Sequence, residues 1–181
     1  MFDKYLSRTP SKGIAPASLW GSTKTRTLTI VRLDTTLEAL PITYDLTRDP
    51  DITRGTSLDA IAGYYQLNYN DISLRPKASY CDDLLYYLVA VHETVHWTGG
   101  EGQLNRTTVL RAIAPTKEAY CIAEELVAEL VSCAFLESLG YKLPEWALDR
   151  MLFFKRQIPP LCLEVTLREA QKAYNFVSQL L

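Results

Sequence analysis

The stretch His92-Glu93-Thr94-Val95-His96 constrains this chain more than any other. On a helix, residues four apart project from nearly the same face, which is the separation two imidazoles need to share one metal ion. Glu93 follows the first imidazole directly and is placed to take a proton from a water at that ion. The chain contains only two histidines, and both lie in this stretch. The fold must therefore supply a helix through both histidines, a stop after it, and a further ligand from elsewhere. Asp82 or Asp83 suits the N-cap, and Gly99 and Gly100 suit the stop. Leu84, Leu85, Leu88, Val91 and Val95 recur at helical spacing with the histidines, so the motif sits at the C-terminal end of a helix with a broad buried face.

Catalytic zinc usually takes three protein ligands and keeps one position for water. With no histidine left, the third ligand is a carboxylate or, less often, a cysteine. The row KEAYCIAEELVAELVSCAFLESL, preceded by Thr116 as N-cap and followed by Gly140, predicts a long helix. Glu125 and Glu129 share one face of it, and Glu124 points about 100° away. Two acids on an otherwise apolar stripe are costly unless charge-paired or bound to a cation. Glu125 is assigned as the ligand and Glu129 as the acceptor behind a ligand histidine. Glu124 reads as solvated. Cys121, one turn before Glu125, is the rival sulfur ligand. The oxyanion is stabilised either by one of the tyrosines, with Tyr120 and Tyr65 as candidates, or by zinc alone.

Elsewhere the signals are local. Residues 1–24 read as a basic, flexible arm, and 25–181 as a single domain. Residues 1–32 carry six Lys/Arg against Asp3, leaving −7 for the rest of a chain whose net charge is −2. That arm is a possible DNA contact. Residues 25–32 alternate as a strand, 42–46 suggest a second, and 64–74 suggest a hairpin turning at Asn68–Asp71. Such a hairpin, directly upstream of the motif helix, could pair with an extended peptide substrate. A third helix is expected from Pro144 to about Arg156, ended by Pro159 and Pro160. A fourth is expected from Thr166, whose spacing to Glu169 is that of a capping box. The four cysteines show no zinc-ribbon spacing and read as reduced thiols, and no segment approaches 18 apolar residues. A cytoplasmic protein that does not engage a membrane is the expectation.

The two blocks HETVHWTGGEGQLNR and EAYCIAEELVAELVSCAFLESLG also resemble the zincin-like metallopeptidase domain of the ArdC-type antirestriction family of phages and plasmids. The matching residues are His92, Glu93, His96, Trp97, Thr98, Gly99, Leu104, Asn105, Arg106, Tyr120, Glu124, Glu125, Leu126, Ala128 and Glu129. Many relatives carry a histidine where Gly100 stands and an arginine where Gln103 stands. The family's single-stranded-DNA-binding domain has no clear counterpart in residues 1–60. The resemblance implies an α+β fold, a small mixed sheet packed on the motif helix and the glutamate helix with further C-terminal helices. It also implies zinc as cofactor, a protein or peptide substrate, and a place in the cytoplasm of a bacterial host. Two functions compete: a zinc peptidase in antirestriction, and a zinc-stabilised module that binds a protein or DNA without hydrolysis.

Overall fold

The structure is a computed structural model and describes residues 2–7, 33–44, 63–66, 69–80 and 82–181. It is mostly helical around one three-stranded mixed sheet. In chain order the elements are α1 (Asp3–Leu6), α2 (33–38), β1 (Ile42–Tyr44), β2 (Gly63–Gln66), β3 (Asp71–Leu74), α3 (Asp83–Thr98), α4 (Arg106–Ile113), α5 (Lys117–Ser138), α6 (Glu145–Gln157) and α7 (Pro160–Leu180). The expected strand at 25–32, residues 45–46 of the second strand, and the remainder of the arm lie outside the described residues.

β3 is the central strand, with β1 parallel on one side and β2 antiparallel on the other. The β2–β3 hairpin turns through Tyr69 and Asn70, and Asn70 takes the left-handed conformation that asparagine tolerates at a turn (φ 51°). The turn therefore ends one residue earlier than the sequence suggests, because Asp71 already pairs with Gln66. Ile72 and Leu74 are buried against α3, which packs on both strands of the hairpin. β2 is an edge strand among the described residues. Its first residue shows why the sheet lies so close to the motif helix. A Cβ at Gly63 would stand 2.6 Å from Leu74 Cδ2, 2.9 Å from Val89 Cγ1 and 3.2 Å from Glu93 Cγ. Gly63→Ala is expected to force the strand off the helix at roughly 1–3 kcal/mol. That is a fall in melting temperature of several degrees, at about 2–4 °C per kcal/mol for a chain of this size.

Asp82 caps α3 as expected, its Oδ1 accepting from Leu85 N–H at 2.7 Å, and Gly99 ends the helix. Thr116 caps α5 in the same way. α5 is the centre of the molecule, in contact with α3, α4, α6 and α7. Every residue from Leu126 to Leu136 is buried, so this helix has no solvated face over those positions.

Three expectations need correction. The stretch between the stop at Gly99 and the cap at Thr116, to which the sequence assigned no element, contains α4, whose Arg106 and Leu110 are fully buried. α7 starts at Pro160 rather than Thr166. Proline at the first turn needs no N–H partner, so Pro160 opens a helix as readily as it closes one. Thr166 is then a mid-helix residue whose hydroxyl donates back to Cys162 O at 2.8 Å. The first residues of the stretch read as an arm are docked instead. Phe2 and Tyr5 are buried, with Phe2 edge-on to Tyr174, and Lys4 pairs with Glu137 at 2.6 Å. Of the cysteines, Cys133 and Cys162 are buried thiols and Cys121 is exposed. No described helix is long and apolar enough to cross a membrane.

Candidate metal centre

The last two turns of α3 present His92 and His96 to the first half of α5. The two Nε2 atoms are 3.1 Å apart, and each lies 3.5 Å from an oxygen of Glu125. His92, His96 and Glu125 thus form a group whose ligating atoms could hold one metal ion. Ligands about 2.0–2.1 Å from a tetrahedral ion stand about 3.3 Å from one another, and the three spacings here bracket that value. Cys121 faces solvent and is not in the group.

The far sides of both rings are also occupied. His92 Nδ1 faces Glu129 Oε1 at 3.5 Å, and His96 Nδ1 faces Glu124 Oε1 at 3.8 Å. The expectation that Glu124 is solvated is therefore wrong: it is 8% exposed and bound by a guanidinium. Arg106 reaches it with Nε on Oε2 at 2.8 Å and Nη2 on Oε1 at 2.9 Å. Arg150 of α6 does the same for Glu129 through Nε, and its Nη2 stands 3.6 Å from Glu125 Oε2. Sequence reasoning gave neither arginine a role. The one signal available was that Arg106 belongs to the Leu104-Asn105-Arg106 block, which is among the residues that carry the family resemblance.

Glu93 is buried and belongs to neither arginine pair. It lines a recess beside His92, together with Gly63 of β2, Glu129 and Ser132 of α5, and Trp146 and Arg150 of α6. Neither tyrosine proposed as an oxyanion donor lines it. Tyr65 O–H donates to Asn70 Oδ1 at 3.2 Å, and a Cβ at Gly100 would stand 2.9 Å from that hydroxyl. Tyr120 lies under the Arg111 guanidinium, 5.0 Å from ring centre to charge.

Residues 51–147, more than half of the chain, match the profile of the zincin-like metallopeptidase family, and the helices of this centre lie largely within that span. The chain belongs to the zincin-like metallopeptidases. Its fold is shared with the antirestriction protein ArdC from plasmid R388. Against the metal-free crystal structure of that protein the TM-score is 0.57 at 22% identity, covering 82% of this chain and 50% of the other. Against the Mn(II)-bound structure it is 0.53 at 24% identity, covering 83% and 52%. The chain thus spans about half the length of ArdC. No curated protein sequence matches it significantly.

The electrostatics of this zincin-like centre fit a divalent cation. Among the described residues, Glu93, Glu124, Glu125 and Glu129 bring four negative charges and Arg106 and Arg150 two positive ones, a deficit of two. The histidines register that deficit. Burial lowers the pKa of His92, but the charge of Glu129 and the bond to Glu125 outweigh it and the net shift is upward. Burial likewise opposes protonation of His96, yet Glu124 and Glu125 raise it well above the ordinary value. On the other side, burial of Glu124 is outweighed by His96 and Arg106, and its pKa falls to about 2. Burial of Glu125 is outweighed by the two histidines, far below the carboxylate range.

These shifts give the centre's own contribution to the pH response of the metal-free protein. The raised histidines stabilise the fold fully below their ordinary value of 6.5, and that contribution is lost as pH rises through their folded values. The depressed glutamates stabilise it above 4.5, and theirs is lost as pH falls through their folded values. Metal-free protein is expected to be most stable between about pH 4.5 and 6.5. The stabilisation by added metal should accordingly grow between pH 6 and pH 8, as measured by thermal melts with and without chelator. A metal effect independent of pH would contradict this arrangement.

Proposed function

We propose that this zincin-like protein is a zinc-dependent peptidase, with His92, His96 and Glu125 as the metal ligands. The convergence of two Nε2 atoms and one carboxylate beside a recess that contains Glu93 carries the reading. Zinc, when bound, supplies Lewis acidity to a water and to the scissile carbonyl. Glu93 accepts the proton of the attacking water and returns it to the leaving amine, as a general base and then a general acid. The β2 edge offers main-chain N–H and C=O groups to an extended peptide beside that recess. Glu129 orients His92 from behind. Because the structural relative is an antirestriction protein, the substrate is proposed to be a host protein met in the cytoplasm during entry of foreign DNA.

The test is metal content together with cleavage of a peptide library by zinc-loaded and chelated protein. About one zinc per chain and chelator-sensitive cleavage are expected. Protein that retains zinc in the His92→Ala, His96→Ala double variant would overturn the ligand set, and zinc-loaded protein that cleaves nothing would overturn the peptidase.

A further inference from the structure

Arg106 has no accessible surface at all, and a buried guanidinium needs a reason. Its partner Glu124 neutralises it, but so would any acid on α5 within reach, and an apolar pair of similar volume would stabilise the core as well. The remaining bonds of the arginine are more informative. Nη2 donates to Val95 O at 2.7 Å and Nη1 to Thr98 Oγ at 3.2 Å, so the guanidinium is registered on the final turn of α3. That turn carries His96. Glu124 Oε1 is then held between Arg106 Nη2 at 2.9 Å and His96 Nδ1 at 3.8 Å.

Gly99 is shaped around the same pair. Its φ of −77° makes no demand for glycine, yet a Cβ there would lie 2.6 Å from Arg106 Nη2 and 2.8 Å from Glu124 Oε1. The glycine after the motif therefore provides space for an ion pair as well as ending a helix.

We propose that Arg106 and Glu124 are the positioning pair of His96, fixing the ring so that Nδ1 carries the proton and Nε2 faces the metal. The proposal rests on the ligand set given above. Arg150 and Glu129 stand in the same relation to His92, so each imidazole is backed by a carboxylate that an arginine from a different helix, α4 or α6, holds in place. Such an outer partner fixes the tautomer and raises the basicity of the ligand nitrogen.

Having only two imidazoles in the chain makes the test direct. Zinc-loaded, ¹⁵N-histidine-labelled wild type should show two rings, each bound through Nε2, with the His96 Nδ1 proton slow to exchange with solvent. Glu124→Asp keeps the charge but withdraws the carboxylate by one methylene. It should weaken zinc binding about 10–100-fold, by chelator competition, and speed exchange at His96 while leaving His92 unchanged. Binding of His96 through Nδ1 in the wild type, or a freely exchanging Nδ1 proton, overturns the proposal even if the variant fails to fold. So does a folded Glu124→Asp with wild-type zinc affinity and an unaltered His96 signal. Wild type that binds no zinc would instead overturn the ligand set itself, and the pair with it.

Discussion

Glu93→Gln is expected to keep its fold and its zinc and to lose peptide hydrolysis by about 10²–10⁴-fold, the usual worth of a general base. The side chain lies outside the converging ligand atoms and outside both arginine pairs, so the amide leaves the three ligands and their supports in place. It is nearly isosteric, which matters because the Glu93 Cγ is packed under β2 beside Gly63. What the amide cannot do is accept and return a proton. The same variant also separates the two functions open to the chain. A zinc-stabilised binding module needs no base in the recess, and its biological effect would survive the substitution. Zinc content, melting temperature and peptide turnover measured on one preparation distinguish them. Retained turnover would remove Glu93 from the chemistry.

The second large effect is expected at Glu125. Its carboxylate lies 3.5 Å from the Nε2 of each imidazole, and it is the only ligand that α5 contributes. Glu125→Ala should lower zinc occupancy below detection at micromolar metal. Glu129→Ala, which leaves all three ligands in place, should cost about 10–100-fold in affinity. Chelator should then no longer lower the melting temperature of Glu125→Ala, because an ion stabilises only the state that binds it. Zinc stoichiometry near one per chain in Glu125→Ala would show that a different group completes the site.

The central site was legible because its chemistry is written at helical spacing. Two histidines four apart, and an acid at 125 with another one turn on, specify faces of helices before any tertiary contact is known. Glu124 was misread for the converse reason. A 100° offset from the ligand face implies solvent only on a helix with a wet side, and α5 is enclosed by four neighbours. Its acid is tolerated through Arg106, which stands 18 positions earlier and across a loop, and no local pattern announces such a pairing. α4 was missed because its Asn105 N-cap is left-handed and makes no side-chain cap, and because two threonines follow Arg106, so neither capping nor propensity marks the start. The early start of α7 reflects an ambiguity of Pro159-Pro160, which can close one helix and open the next.

The deficit of two charges around His92 and His96 can be made up in two ways, by one divalent ion or by a proton on each ring. The centre is therefore an ion exchanger, trading a metal for up to two protons. Its hold on metal should fall by up to a hundredfold for each unit of acidification once both rings compete, since two protons enter the equilibrium squared. A monovalent cation would leave the balance incomplete, so charge screens candidate ions before size or geometry does. Two imidazole nitrogens then favour metals at the nitrogen-binding end of the divalent series over magnesium or calcium.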